Sequence, residues 1–487
     1  MTHLGERYDS AKATLSSCGQ DHLLTYYDAL DDAGKTALLD QIEGIDWPEV
    51  QRLVQTYVIN KPTFDLPANV EPAPWYPRQP NPDQHAIYSR AWDKGIELLR
   101  AGKLAAFTVA GGQGTRLGWD APKGTFPATP ITGRSLFACF ADYLHRVADK
   151  YEAFTPVPWY VMTSPVNDAA TRAFFAEHDY FGYDPADVKI FPQAMMPAFD
   201  MTTGKALLAD KGSLALSPNG HGGSLKALWT SGAIADMKDR GVEQISYIQV
   251  DNPLVRVIDP LFIGLHAIDG AEMSSKMLPK REPLEKLGNI CLVDGKTTVI
   301  EYSDLPDELA YETQEDGELR FRAGSIAIHT IAVDFVESLN ASPQGFALPW
   351  HRAEKKVPCI DLATGAAATP KAPNAVKLET FVFDALPMCE TSIVYQTERT
   401  EEFAPIKNAD APGAQDSPAT SKQLQSDRAA AWLQNAGVKM PWRPDGTVDA
   451  RVEISQRAAI YADDVEGLAD LPQSVPPGGE LLIHGKS

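Results

Sequence analysis

Apolar and polar positions change period along this chain, and those changes divide it into segments. Over residues 1 to about 60, apolar side chains recur every three or four positions, as in LLTYYDALDDAGKTALLDQIEGI. That spacing predicts amphipathic helices ending near Pro48 and Pro62. The proline-rich KPTFDLPANVEPAPWYPRQPNP that follows predicts an extended connector. A helix is predicted from Gln84 to Ala101, and the apolar run Leu104 to Ala110 then reads as a buried strand. Ser135 to Lys150 sets Leu136, Phe137, Phe140, Tyr143, Leu144 and Val147 on one helical face. VPWYVMTS predicts a strand, TRAFFAEHDYF a helix, VKIFPQ a strand, GGSLKALWTSGAIADMKDRG one long helix and ISYIQVDNPLV a strand.

Strand and helix in repeated alternation predict an α/β fold, a mixed and mostly parallel sheet flanked by helices. Ligands of such sheets bind beyond the carboxyl ends of the strands, where the glycines after Ala110, Gln193 and Asp251 all fall. Between about 270 and 400 the alternating runs NICLVDGKTTVIEY, SIAIHTIAV and LETFVFDAL predict antiparallel strands that extend the sheet. From about 410 a Gly-, Ser-, Pro- and Asp-rich stretch, a helix around Asp427 to Gly437 and the short strands EISQRAAIYA and ELLIHG predict a small β-rich domain.

Composition narrows the function. The 487 residues carry a formal charge of −21, which argues against general affinity for nucleic acid or acidic membranes. A polyanion site must then be a local cationic pocket. Five scattered cysteines without C-x-x-C spacing, no apolar signal core at the N-terminus and no run of membrane-spanning length lead to the expectation of a cytoplasmic protein.

The densest chemistry lies in LAAFTVAGGQGTRLGWDAPKGT. Gly111, Gly112 and Gly114 let main chain approach a flat base or a phosphate, and Arg116 and Lys123 supply cations. Gly118 comes one residue late for a dinucleotide fingerprint, and the order Lys123, Gly124, Thr125 is not a Walker A loop. Asp251, after ISYIQV, suits a Mg²⁺ ligand or a carboxylate capping the next turn. Gln193 suits the edge of a pyrimidine, and equally an ordinary surface glutamine. Gly220, His221, Gly222 and Gly223 precede a helix and suit a ribose or phosphate, or only a helix start. Lys377 and Lys407 are late lysines among apolar neighbours, while Phe381 and Phe383 alternate along a strand-like run and read as core. Nucleophile-elbow, H-E-x-x-H and catalytic-cysteine patterns are missing, which favours chemistry by positioning and charge neutralisation.

AGGQGTRLG with PKG, PWYVMTS, the GHGG loop, VDNPLVRVIDPLFIG, VIEYSDL, AEKKVP, PNAVKLETFVFD and EFAPIKNAD together resemble the eukaryotic-type UDP-N-acetylglucosamine pyrophosphorylases, within the wider UDP-sugar pyrophosphorylase family. The resemblance runs from about residue 80 to the C-terminus. It implies an N-terminal helical domain with its linker over 1–85, a nucleotidyltransferase domain over 86–405 and a small C-terminal domain over 406–487. It implies a monomer or weak homo-oligomer that joins UTP and a sugar 1-phosphate into UDP-sugar and pyrophosphate, with Mg²⁺ (or Mn²⁺) as cofactor and no nucleic-acid or membrane partner. Residue by residue, it places Ala110, Gly111, Gly112, Gln193, Gly220 and His221 at the nucleotide, Arg116, Lys123 and Lys407 at the phosphates and Asp251 at the metal. Gly288, Glu301, Tyr302, Ser325, Lys377, Phe381 and Phe383 fall at the sugar. Three positions depart from the family pattern: Arg322-Ala323-Gly324-Ser325 stands where Asn-Ala-Gly-Asn is usual, and His221 stands for Asn. N-acetylglucosamine 1-phosphate is the expected sugar, with a glucose 1-phosphate or broad-specificity enzyme as the alternative. A silent UDP-sugar-binding protein is the rival from another class.

Overall fold

The structure, a computed structural model, describes residues 2–62, 67, 69–341, 346 and 348–485, without the side chains of residues 2 and 3. The chain forms two compact units. The first combines residues 1–65, 193–227 and 347–384, and the second 66–192, 228–346 and 385–487.

The second unit is built on a ten-stranded sheet: β1 (Val70–Pro72), β2 (Leu104–Val109), β3 (Trp159–Thr163), β4 (Val188–Pro192), β5 (Gln244–Gln249), β6 (Met273–Pro279), β7 (Gly288–Val293), β8 (Lys296–Ile300), β9 (Ala323–Ala332) and β10 (Val394–Gln396). Its order is β1-β7-β9-β5-β2-β3-β4, with β6 bridging β9 and β10 and with β8 on β7. β5, β2, β3 and β4 run parallel, β9 pairs antiparallel with β5, and β7 pairs antiparallel with β9. The parallel strands are apolar on both faces because helices cover both: every residue of β3 is buried. Leu136–Lys150 starts at Ser135, whose side chain accepts from the Ala138 N–H, and it buries the apolar face expected of it. His85–Arg100 crosses Pro260–Ile268 closely enough that a Cβ on Gly95 would lie 1.8 Å from the Pro260 carbonyl oxygen, and one on Gly264 1.7 Å from that of Ala91.

Three expectations are corrected. GGSLKALWTSGAIADMKDRG gives two helices, Gly223–Thr230 and Ala233–Asp239, because Gly232 takes a left-handed φ of +74° that no helix continues through. The last long helix begins earlier than expected and spans Pro418–Asn435, since Ser417 caps it and Pro418 suits its first turn. LETFVFDAL does not extend the large sheet. Its strand, Ala375–Glu379, pairs with His351–Lys355 and Phe199–Asp200 in a separate three-stranded sheet, and Val382–Met388 coils into 3₁₀ turns.

That small sheet belongs to the first unit. Helices Thr2–Ser17, Asp32–Glu43 and Trp47–Leu53 bury Leu15, Leu38, Leu39, Ile42, Trp47 and Leu53 together with Phe199, Leu208, Val376 and Leu378. The N-terminal helices thus share one core with two later segments, which give their apolar faces a partner. Within the second unit, residues from about 418 onward have a core of their own around Trp432, Leu433, Val448, Val452 and Val465, with Ala450–Ile454 parallel to Gly479–Ile483. Among the described residues no helix is long and apolar enough to cross a membrane.

Candidate active site

The glycine loop leaves β2 at Ala110, whose N–H donates to the Met162 carbonyl at 2.7 Å. It folds back on itself: Lys123 N–H donates to the Gly112 carbonyl (3.1 Å) and Gly114 N–H to that of Ala121 (3.0 Å). Buried Asn167 pins it from below, donating through Nδ2 to the carbonyls of Ala110 (2.9 Å) and Gly112 (3.2 Å), while its Oδ1 accepts from Ser164 N–H. A Cβ on Gly112 would meet no protein atom within 4 Å, so the loop keeps an open face; Gly114, by contrast, is pressed on Trp119. Bare main chain, rigidly held and open on one side, is what a flat base or a phosphate needs.

Lys123 opens a 3₁₀ turn after Pro122 and reaches the mouth of the neighbouring strand, with Nζ 3.8 Å from Asp251 Oδ2. Their side chains are 15% and 13% exposed. Burial pushes the Lys123 ammonium below its ordinary value; Asp251 opposes this, and Lys407 and Arg116 add to it. Arg116, Lys123 and Lys407 therefore lie near two carboxylates, Asp251 and Asp416, with one positive charge left over. Asp251 is tied to the Lys407 segment through its carbonyl, which accepts from Ile406 N–H at 2.8 Å. Among the described residues no three Asp, Glu, His or Cys side chains converge on one point. A divalent cation on Asp251 would thus draw most of its shell from phosphate and water, which matches the habits of Mg²⁺.

Beside this cluster lies a cavity of ≈ 110 Å³ lined in part by Asp251, Gly288, Ser325, Ala327, Phe403 and Lys407. Gly288 of β7 stands directly opposite Ser325 of β9, and a Cβ on it would lie 3.6 Å from Glu301 Oε1. β9 bulges here: Ser275 pairs with His329 but Met277 with Ser325, and Ala327 takes a φ of +55°. A bulge re-aims the side chains next to it, and Ala327 holds a left-handed backbone state that an alanine rarely adopts. Tyr302, just past β8, is 43% exposed.

The remaining expected residues lie in the first unit. Gln193 is buried, and its Oε1 has no hydrogen-bond partner among the described residues; the same is true of Ser217 Oγ and Asn219 Oδ1. Such orphaned acceptors and hydroxyls fit a site completed by a ligand or by water. Gly220, at φ +85°, and Gly222 lie against the backbone of Thr380–Phe381, where Cβ atoms would come within 2.3 Å and 2.7 Å of main-chain atoms. His221 accepts through Nδ1 from Val382 N–H, stacks on Phe381 and tilts against Phe383. Burial, followed by nearby His351, pushes His221 down to about 4, so it is a neutral ring at pH 7. Phe381 and Phe383 are not alternating strand residues; Phe381 precedes and Phe383 lies within the 3₁₀ turns that follow the strand, and both pack with His221 while Phe381 also packs with His351. Lys377 sits half-buried on Ala375–Glu379, opposite Ala353.

Asn167, Asn252 and Asp416 escaped the sequence reading. Asn252 Oδ1 accepts from the N–H groups of Leu254 and Ala404, and its Nδ2 donates to the Glu402 carbonyl, which holds the segment leading to Lys407. The only local signal for the two asparagines was an amide close after a strand end.

A family profile described as UTP–glucose-1-phosphate uridylyltransferase matches residues 75–424. A UDP-N-acetylhexosamine pyrophosphorylase-like protein 1 from Xenopus tropicalis is 34% identical over 444 residues, covering 89% of this chain and 86% of the relative. The UDP-N-acetylglucosamine pyrophosphorylase of Saccharomyces cerevisiae is 32% identical over 467 residues, covering 93% and 96%. The crystal structure of the Trypanosoma brucei uridine diphosphate N-acetylglucosamine pyrophosphorylase in complex with inhibitor superposes with a TM-score of 0.82 at 26% identity, covering 98% of both chains. With a charged strand-end cluster and matches over most of its length, this chain belongs to the UTP–glucose-1-phosphate uridylyltransferase family, alongside the eukaryotic UDP-N-acetylglucosamine pyrophosphorylases.

Proposed function

We propose that this protein transfers the uridylyl group of UTP to N-acetylglucosamine 1-phosphate, forming UDP-N-acetylglucosamine and pyrophosphate. The observation that carries the reading is the Lys123–Asp251 approach at neighbouring strand ends, with Arg116 and Lys407 near enough to perturb the same ammonium. A phosphate oxygen of the sugar ester attacks the α-phosphorus in line. A new P–O bond forms as the bond from the α-phosphorus to the bridging oxygen breaks, and that electron pair leaves on pyrophosphate. Arg116 and Lys123 hold the triphosphate and offset charge on its equatorial oxygens, while Lys407 meets the phosphates from the other side. Asp251 would hold Mg²⁺, which when bound supplies further neutralisation of the phosphate oxygens.

The main chain of Ala110, Gly111 and Gly112 suits the uridine, and the unpaired acceptor of Gln193 suits the imide N–H of a pyrimidine. Glu301, beside Gly288, suits the sugar hydroxyls, with Tyr302, Lys377, Phe381 and Phe383 assigned to the sugar by the family pattern. Ser325, facing Gly288 with a short hydroxyl instead of an amide, favours a second reading in which glucose 1-phosphate is also taken. Five free cysteines support a reducing, cytoplasmic setting.

The test is pyrophosphate release with UTP, Mg²⁺ and a panel of N-acetylglucosamine, glucose and galactose 1-phosphates. The highest kcat/KM is expected for the N-acetylglucosamine ester. A preference for glucose moves the assignment to the second reading, and release from none of them sinks both.

A further inference from the structure

We infer that Asp416 is a positioning residue for Lys407 and acts through its backbone. The inference rests on the role for Lys407 proposed above. Lys407 is held on both sides by main chain: Ile406 N–H donates to the carbonyl of Asp251 at 2.8 Å, and Lys407 N–H donates to the carbonyl of Asp416 at 2.6 Å. Asn408 N–H donates to that same Asp416 oxygen at 3.0 Å. The loop between them is closed by Asn408 Nδ2 on the Gln415 carbonyl (2.9 Å) and by Asp410 Oδ1, which accepts from Ala419 N–H (2.8 Å). Its neck therefore fixes where Lys407 begins. Phe403 backs the side chain, with Lys407 Nζ 5.8 Å from its ring centre and Arg399 Cζ 5.2 Å from it.

Asp416 does this from an uncommon backbone state. Its φ is +53°, in the left-handed region, immediately before Ser417 caps Pro418–Asn435. The chain has to reverse between the loop and the helix, and a left-handed residue makes the reversal while leaving its carbonyl for Lys407 and Asn408. Glycine, asparagine and aspartate tolerate that state, whereas a β-branched side chain does not. The carboxylate also lies among charges, with Lys407, Asp251 and Arg399 as neighbours. The experiment must therefore separate backbone from charge.

Asp416→Gly, Asp416→Asn and Asp416→Val are compared with the parent and with Lys407→Ala in uridylyl transfer, each with a thermal melt. Glycine and asparagine are expected to keep kcat within about threefold, and valine to lose about tenfold or more with its melting transition retained. In the Lys407→Ala background, valine should cost nothing further, the signature of two residues acting as one. Parent-like kcat in Asp416→Val, equal losses in all three variants, or losses that simply add to Lys407→Ala would each overturn the inference. Should Asp416→Val fail to fold, Asp416→Ala is judged by the same criteria. Failure of the parent to transfer uridylyl at all would fall on the proposed function instead.

Discussion

Two glycine-rich loops, one in each unit, use the same residue for opposite ends. In Ala110-Gly111-Gly112 the missing Cβ leaves space: a methyl on Gly112 would touch nothing. In Gly220-His221-Gly222-Gly223 it allows contact: methyls there would strike the Thr380–Phe381 backbone or the Asn219 side chain, the last at 2.1 Å from Gly223. The first loop leaves an open face and the second is fastened to its own unit. The first also gathers surplus positive charge, whereas the second surrounds a neutral histidine with aromatic rings. A glycine motif in a sequence therefore announces a close approach without saying whether a ligand or the chain itself makes it.

The largest effect expected from breaking this contrast is that of Lys123→Ala. Removing one fixed charge from the phosphate cluster should raise the barrier by about 3 kcal/mol, a loss of roughly a hundredfold in kcat. Because Lys123 is a part-dehydrated cation crowded by two others, the melting temperature should hold; near-normal kcat would remove its role. Next comes the pair Gly222→Ala and Gly112→Ala. The first forces a methyl into main chain and should cost about 2 kcal/mol of stability in denaturant unfolding. The second should leave stability within about 0.5 kcal/mol and instead raise KM for UTP. A reversed pattern would show that the two loops had been assigned the wrong way round.

The effect that is smallest at neutral pH is acid sensitivity. The His221 pKa, at about 4, lies below its unfolded value near 6.5, so the unfolded chain binds a proton first as pH falls. Stability should be nearly full at pH 7 and decline from about pH 6.5 towards pH 4, by about 2 kcal/mol at pH 5 from this group. His221→Asn should flatten that decline in urea titrations at pH 7 and pH 5. An unchanged slope would mean that other groups carry it, with His266, held near 3 by burial, the first to examine.

Much of the catalytic unit was legible. β2, β3, β4 and β5 lie where apolar runs demanded strands, because a strand covered on both faces has few alternatives to a continuous apolar stretch. Arg116 and Lys123 could be singled out since cations beside glycines have little structural use. Phe381 and Phe383 were misplaced for the converse reason: alternation over so short a run is also compatible with a turn, and only packing with His221 and His351 decided it. Asn167 was illegible, since one buried amide serving two carbonyls looks like any loop asparagine until the loop above it is seen.

By itself, then, the order of residues determined the strand–helix alternation, the loop after β2 and the kinds of charge brought to the strand ends. These depend on side-chain period and local sterics, which act within a few residues. Only the tertiary structure decided that the segment leading into Lys407 is moored to Asp251, that Ser325 faces Gly288 beside a bulge in β9, and that the first helices share their core with residues 193–227 and 347–384. Such pairings follow from strand order and from which apolar faces meet, and both are settled by burial across long sequence separations that no local pattern encodes.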